Sequence, residues 1–234
     1  EKGGKYQILA FKTNSKMIYA YPEDGKYEMF LEAGVYNFII TYTDEKNSKE
    51  HTLVRQEVTV PDAPYEKNFD IVAGSLSGQL TWKDGTSAMY GESSLCLYSD
   101  GFASGDITAD LKADGSFSFS YVPYGTYTMK LDDKDIGTVT INSADKQQDY
   151  TINGYQIAVV VKEANGEFAK DKWIRVEKDE KTEYYYVDND KGLALVIVDE
   201  PGTYEVCSYD NGNRIYYGTV TVTDKNVSCA LTAE

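Results

Sequence analysis

The stretch DGSFSFSYVPYGTYTM, residues 114–129, indicates the fold class of the chain. An Asp-Gly pair opens it, apolar and small residues then alternate, and a Pro-Tyr-Gly corner leads into a second alternating run. Asp-Gly beside an alternating run is a strong turn signal, because glycine reaches positive φ without steric cost. Alternation of this kind is typical of a half-buried strand. The stretch therefore predicts two strands joined at Gly125, with Tyr127 pointing into one face of the sheet.

The same pattern occurs three times along the chain. It returns as DGKYEMFLEAGVYNFII at residues 24–40 and as DKGLALVIVDEPGTYEVCSY at residues 190–209. In each copy a tyrosine follows two residues after a corner glycine; the pairs are Gly34 and Tyr36, Gly125 and Tyr127, and Gly202 and Tyr204. The corner glycines lie 91 and 77 residues apart, so each repeat has the size of a domain and not of a solenoid unit.

We therefore predict an all-β chain of three tandem antiparallel β-sandwiches, at residues 1–72, 73–153 and 154–234. Seven short strands fit one sandwich of this size. In the middle repeat we expect them at residues 75–82, 94–98, 107–111, 116–122, 126–131, 137–141 and 148–152. In the first repeat, KYQILAFKT (residues 5–13) is too short to supply all the early strands, so this repeat is either a reduced sandwich or amino-terminally truncated. Short links favour a semi-rigid row.

Composition limits the classes of partner. The net charge of -15 and the pI near 4.5 exclude nucleic acid and anionic membrane surfaces, which bind through dense basic patches. The 21 tyrosines favour half-exposed sheet, because the ring packs while the hydroxyl reaches water. The sequence has no apolar run of membrane-spanning length, and EKGGKYQ, residues 1–7, is not a signal peptide. We expect a monomer.

Few residues suggest chemistry. The only histidine, His51, lies in a charged stretch and is expected to be exposed in a loop without a catalytic partner. Strand alternation places Cys207 opposite to the face of Tyr204 and Val206, and Cys229 toward the core, so we expect inert thiols and no bridge between them. VDNDKG, residues 187–192, imitates the start of a calcium loop but lacks the later glutamate, and turn formation explains the same residues. We expect no catalytic residue, metal or cofactor.

The middle repeat resembles the carboxypeptidase regulatory-like domain, a transthyretin-like (prealbumin-like) sandwich with Ig-like architecture that is common in bacterial surface proteins. The resemblance lies in LSGQLTWKDG (76–85), SSLCLYSDG (93–101) and ADGSFSFSYVPYGTYTM (113–129). The third repeat matches more weakly from Tyr155, and the first only from Asp24. The resemblance implies a stalk, spacer or binding module and no reaction, because a fold by itself does not carry an activity.

The collagen-adhesin B-type domain is a more distant resemblance. That family forms Lys–Asn isopeptide bonds, and the resemblance would suggest Lys83 with Asn153, or Lys162 with Asn226. The family also places a glutamate after the corner tyrosine strand, and this sequence lacks it there. We therefore do not expect an isopeptide bond.

Outward aromatic residues of the third repeat are the only candidates for a binding site. If Ile174 and Val176 point inward, Trp173 points outward, and the same reasoning exposes the tyrosines next to Tyr185 and Val187. The candidate ligand-binding residues are Trp173, Tyr184, Tyr186 and Tyr217. Such rings stack on sugars or anchor a protein, although they also simply cover a tyrosine-rich sheet. We expect a non-enzymatic stalk or adhesion module, extracellular or on a bacterial cell surface, whose partner is a protein or glycan; the alternative is a carbohydrate-binding module.

Overall fold

The computed structural model describes residues 4–45, 48–87, 89, 93–99, 102, 107–132, 134–187 and 189–234. These residues form β-strands joined by turns, and no helix occurs among them, which confirms the predicted all-β class. The chain divides into two compact units. Unit 1 is Glu1–Ser77, Ser94–Asp110 and Ser118–Gln148, and unit 2 is Gly78–Ser93, Leu111–Phe117 and Asp149–Glu234. Neither unit coincides with one of the three predicted domains, so the boundaries near residues 72 and 153 stay a prediction. We call residues 1–72, 73–153 and 154–234 the first, middle and third repeats.

The first repeat contains one four-stranded sheet in unit 1. Its strands are β1 (Gly4–Phe11), β2 (Ile18–Ala20), β3 (Gly34–Asp44) and β4 (Glu50–Val60), in the order β2-β1-β3-β4. All three pairings are antiparallel. One face buries an apolar cluster that includes Ile8, Phe38 and Ile40. Extended segments without strand pairing, among them residues 26–31, cover this cluster with Tyr27 and Met29.

The middle repeat contains two sheets. Its strands are β5 (Ala73–Trp82), β6 (Leu95–Tyr98), β7 (Ile107–Thr108), β8 (Asp110–Leu111), β9 (Ser116–Pro123), β10 (Gly125–Leu131), β11 (Lys134–Ile141), β12 (Asp145–Gln147) and β13 (Tyr150–Ile152). One sheet has the order β11-β10-β6-β7, and the other has β12-β5-β9-β8 with β13 also on β5. Each of the seven predicted strands overlaps an observed one. The prediction at 107–111 is divided into two short strands.

The third repeat, which lies in unit 2, also contains two sheets. Its strands are β14 (Tyr155–Lys162), β15 (Lys172–Lys178), β16 (Lys181–Val187), β17 (Leu193–Val198), β18 (Gly202–Asp210), β19 (Asn213–Val222) and β20 (Val227–Thr232). One sheet has the order β17-β14-β20 and the other β16-β15-β18-β19. A single apolar cluster takes buried side chains from both sheets, as in a β-sandwich.

The last strand of the middle and third repeats returns beside the first strand of the same repeat. β14 pairs parallel with β20, and β5 pairs parallel with both β12 and β13. The remaining pairings described for these two repeats are antiparallel. This long-range parallel pairing closes each of the two repeats.

The corner tyrosines are buried, as predicted. Tyr36, Tyr127 and Tyr204 are 4%, 3% and 6% exposed. The hydroxyl of Tyr127 donates a hydrogen bond to the carbonyl of Pro123 at 2.7 Å, and that of Tyr204 donates to the carbonyl of Glu200. A tyrosine that bonds the backbone four residues earlier fixes the path of the chain between two sheets, as in the tyrosine corner of immunoglobulin-type sandwiches.

A lysine covers the corner glycine in the first and third repeats. Lys12 Nζ donates to the carbonyl of Ala33 at 3.1 Å and lies 4.9 Å from the ring centroid of the corner tyrosine. Lys178 Nζ donates to the carbonyl of Pro201 at 2.8 Å and lies 5.7 Å from the equivalent ring. Both ammonium groups thus satisfy a corner carbonyl and contact an aromatic face.

The prediction that His51 is an exposed loop residue was wrong. His51 belongs to β4 and is buried, with its ring centroid 4.9 Å from that of Tyr121 in unit 1. Tyr42 packs on the same ring at 4.6 Å. Tyr121 has a φ of 57°, an unusual backbone conformation for a non-glycine residue within a strand. The charged residues before His51 resemble a turn in sequence, but strand pairing begins at Glu50.

We expect His51 to make the stability of the fold pH-dependent. Burial, and then the charge of Lys49, lower the pKa of His51, against smaller opposite effects of Asp44 and Asp110. The neutral ring therefore stabilises the folded state fully above the unfolded pKa of about 6.5, and this contribution is lost as pH falls through that value. Denaturant titrations between about pH 7 and pH 5 should show the free energy of unfolding falling by at most about 1.4 kcal/mol per pH unit.

The matched variant is His51→Phe, which keeps an apolar ring against Tyr121 but cannot be protonated. It should remove this part of the pH dependence. An unchanged slope in His51→Phe would show that another group titrates instead.

Candidate binding face

The outward face of the sheet β16-β15-β18-β19 carries the predicted aromatic residues. Along β15, Ile174 and Val176 are buried in the core, whereas Trp173 is 58% exposed and Arg175 lies on the same outward side. The prediction of which β15 side chains point inward and outward is confirmed. The alternation follows directly from the two-residue period of a strand.

The neighbouring strand β16 adds two exposed tyrosines. Tyr184 is 54% and Tyr186 is 41% exposed, while Val187 is fully buried and Tyr185 packs against the core. The antiparallel register places Trp173 directly opposite Tyr186, and their ring centroids are 5.2 Å apart with an interplanar angle of 57°. Two large rings therefore form one apolar patch at the end of the sheet.

The prediction that Tyr217 joins this face was wrong. Tyr217 is 3% exposed, belongs to the core cluster and bonds the hydroxyl of Ser208 at 3.0 Å. Gly218 lies opposite Val206 and Tyr216 opposite Cys207, so Tyr217 is the extra residue of a β-bulge. A bulge reverses the alternation of the strand, so the pattern set by the later valines cannot be continued back through it. Gly218 has a φ of 134°, which fits this irregular backbone.

Arg175 and Tyr209 extend the face beyond the residues that the sequence suggested. The Arg175 guanidinium lies 5.1 Å from the ring centroid of Tyr184 and 4.2 Å from that of Tyr209, so two rings contact one cation. Tyr209 is 43% exposed. Cation–π contacts of this kind hold both the guanidinium and the rings in place. The strand alternation already placed Arg175 outward, but Tyr209 approaches it only through the register between β15 and β18.

An ion-pair network occupies the other end of the same face. Arg214 Nη2 donates to Glu177 at 2.9 Å and to Glu205 at 2.8 Å. The hydrogen bond to Glu205 is the main cause that raises the pKa of Arg214. Cys207 lies beneath Arg214 and is buried, and burial raises the pKa of its thiol. A raised pKa keeps the thiol protonated and unreactive.

The cysteine predictions on orientation are confirmed. Cys207 lies on the face opposite to Val206, and Cys229 packs against the core cluster. Both are free thiols. Burial also raises the pKa of Cys229.

The contacts of Asn226 are relevant to the isopeptide question. Its main-chain N–H donates to Asp84 at 3.1 Å, and its Oδ1 accepts from the main-chain N–H of Gln156 at 2.8 Å, all within unit 2. The ammonium of Lys162 lies 5.2 Å from the ring centroid of Phe168. Asn226 thus has a structural role at the start of β20. The absence of an isopeptide bond stays a prediction.

The calcium-like sequence forms a turn. Asn189 Oδ1 accepts from the N–H groups of Lys191 and Leu193 at 3.1 and 3.0 Å, which is the bonding that turn residues make. Asp188 of this motif lies outside the described residues. In the part of the chain that the structure describes, no group of three or more His, Cys, Asp or Glu side chains is arranged to hold a metal ion.

A charged cleft of about 440 Å³ lies in unit 2 next to the corner of the third repeat. Lys178, Lys181, Glu183 and Glu200 are among its lining residues. Glu200 contacts Lys181 at 3.2 Å and Lys178 at 3.8 Å. A carboxylate between two ammonium groups is held in its charged form, unlike a general acid in an apolar pocket.

No family model matches the chain, and no curated protein matches it. Similar solved structures include the Bacillus anthracis TIE protein, with 11% identity over 99% of this chain and 51% of that one, and a TM-score of 0.28. A streptococcal ancillary pilin shares 9% identity over 98% of this chain and 92% of that one, with a TM-score of 0.29. BcpA, the major pilin subunit of Bacillus cereus, shares 10% identity over 99% and 95%, with a TM-score of 0.26.

The chain spans about half the length of the TIE protein. TM-scores this low do not establish a shared function, and the resemblance to the carboxypeptidase regulatory-like domain stays a prediction. Among the described residues, no helix is long and apolar enough to cross a membrane.

Proposed function

We propose that this chain is a non-catalytic stalk or adhesion module of a bacterial secreted or cell-surface protein. The observation that carries the proposal is the packing between successive repeats. Within unit 1, the Tyr121 ring of the middle repeat packs on Tyr42 and His51 of the first, and Lys49 pairs with Asp110 at 2.9 Å. Such contacts restrain the movement of one repeat against the next, as a stalk requires.

A second set of contacts serves the next junction. Within unit 2, the carboxylate of Asp84 in the middle repeat accepts from the main chain of Asn226, and Lys83 Nζ lies 5.8 Å from the ring centroid of Tyr155. Asp84 also accepts from Thr86, and its pKa is lowered, with the hydrogen bonds from Thr86 and Asn226 among the causes, although burial acts in the opposite direction. The mean surface charge of the chain is negative, which favours solubility.

The restraint at the first junction can be measured with two spin labels in unit 1. We expect labels at Tyr19→Cys and Tyr98→Cys, in a chain whose native cysteines are serine, to give a narrow distance distribution by pulsed electron paramagnetic resonance. Tyr121→Ala removes the packed ring and should widen the distribution about twofold or more, whereas Tyr124→Ala, at an exposed site, should not. A broad distribution in the unmodified chain would contradict a restrained junction and with it the stalk.

A carbohydrate-binding module is the second candidate. It is favoured by the exposed pair Trp173 and Tyr186, whose neighbouring Tyr184 is fixed by Arg175. Exposed rings held in place can stack on the apolar faces of sugar rings at little entropic cost.

Calorimetric titration of the full chain against a panel of soluble polysaccharides tests this candidate. If one binds, Trp173→Ala should weaken it by at least about tenfold, while Phe168→Ala, another exposed ring in unit 2, should leave it unchanged. Equal affinity of the two variants, or no binding across the panel, would exclude this face as a sugar site.

A further inference from the structure

The first repeat contains two extended segments whose backbones are unpaired. Residues 26–31 and 66–71 alternate strictly between exposed and half-buried side chains, as strands do. Tyr27, Met29 and Leu31 from one segment, and Phe69 and Ile71 from the other, pack against the core cluster. Within the described residues, neither segment makes a main-chain to main-chain hydrogen bond, apart from the turn closed by Lys26. Unpaired strand backbone is a template for another strand.

The third repeat shows what occupies the equivalent place. Gly34 lies opposite Val60 and Gly202 opposite Val222, so the corners of the two repeats superimpose in register. Counted from these corners, residues 26–31 correspond to β17, and residues 65–70 correspond to β20. β14 lies between β17 and β20 and forms six residue pairs with each. In the middle repeat β5 holds the same place between β9 and the pair β12 and β13.

No described strand of the first repeat takes this central place. A side chain reaches across it instead: the Tyr27 hydroxyl donates to the carbonyl of Lys67 at 2.8 Å. The Tyr27 ring lies 6.2 Å from that of Phe69, which in turn packs 5.6 Å from Phe38 of β3. A main-chain carbonyl that would accept from a neighbouring strand is thus satisfied by a side-chain hydroxyl.

We propose that residues 26–31 and 65–71 form a slot that binds an extended peptide strand of another polypeptide. By analogy with β14, the strand runs antiparallel to residues 26–31 and parallel to residues 65–70. Every second side chain of the peptide is apolar and faces Phe38 and its neighbours in the core cluster. Its main chain supplies the hydrogen bonds that the two segments lack, which is strand addition to an open sheet edge.

The outward positions of the slot determine the charge of the peptide. Glu28, Glu66 and Asp70 are exposed on the two segments, with Lys26 as an exposed cation. Basic or neutral side chains at the outward positions of the peptide are therefore favoured over acidic ones. The sequence of β14, YQIAVVVK, fulfils both requirements, because its inward Ile157, Val159 and Val161 are apolar and it carries no acid.

The probe is a synthetic peptide with the β14 sequence, flanked by lysines for solubility and titrated into the full chain. We expect saturable binding of one peptide per chain, and hydrogen exchange of residues 26–31 and 65–71 slowed by about tenfold or more. A control peptide with serine at the three inward positions should not bind. No binding of the first peptide, protection confined to other strands, or self-association of the chain through these segments without peptide binding would each overturn the proposal.

Tyr27→Phe provides a test within the protein. It keeps the ring in the core but releases the Lys67 carbonyl, so peptide binding should tighten by about three- to tenfold, the range that one hydrogen bond gives. Tyr19→Ala, at an exposed site on β2, is the matched control and should not alter the affinity. Weaker or unchanged binding in Tyr27→Phe would contradict the assigned position of the strand. The proposal is independent of the junction contacts above.

Discussion

Gly115→Ala should destabilise the chain by about 3 kcal/mol or more in a denaturant titration, since strain and steric overlap add. Gly115 has a φ of 80° in the turn that opens the diagnostic stretch. An added Cβ would lie 2.4 Å from the Ser87 carbonyl oxygen and 2.7 Å from that of Leu80. These are main-chain atoms, and Leu80 also bonds Gly115 through its N–H at 2.9 Å, so they cannot move aside without breaking the pairing.

Gly85→Ala is the matched control for this prediction. Gly85 has nearly the same φ, 83°, but an added Cβ there meets nothing within 4 Å. It should therefore lose only the cost of the left-handed conformation, about 1 kcal/mol. Equal losses in the two variants would mean that the turn at Gly115 relaxes and that its close approach has no energetic weight.

Tyr127→Ala should cost about 3–5 kcal/mol of unfolding free energy, because it empties the space of a buried aromatic ring. Burial raises the pKa of Tyr127 to about 12, so the hydroxyl stays protonated and able to donate over the range in which stability is measured. Tyr127→Phe keeps the ring but leaves the Pro123 carbonyl without its donor, and should cost about 1–3 kcal/mol.

The comparison of the two variants separates ring packing from the hydrogen bond. Tyr124→Ala, three residues earlier and 41% exposed, should stay within about 0.5 kcal/mol of the unmodified chain. If Tyr127→Phe were neutral, the corner bond would contribute nothing and only the packing of the ring would matter.

Alternation and turn residues predicted most of the fold. The three corners, the strands of the middle repeat and the outward direction of Trp173 follow from the local two-residue period and from glycine positions. The parallel closing strands could not be predicted in this way, because β14 and β20 are far apart in sequence and neither carries a signal that names its partner.

The errors at the candidate site have local physical causes. Tyr217 is misplaced because a single extra residue in β19 reverses which side chains point inward. Tyr209 was missed because its contact with Arg175 depends on the register of two strands and not on either sequence alone. His51 was misread because charged neighbours mark turns and strand ends alike.

The parallel pairing of β14 with β20 has a consequence for how the third repeat resists stretching. Tension along the chain would act at the start of β14, near Tyr155, and at the end of β20, near Thr232, which are opposite ends of the paired strands. The two strands would have to slide past each other, so all their hydrogen bonds would be loaded at once and not opened one by one. This is a shear geometry, and it gives a small sandwich a high rupture force.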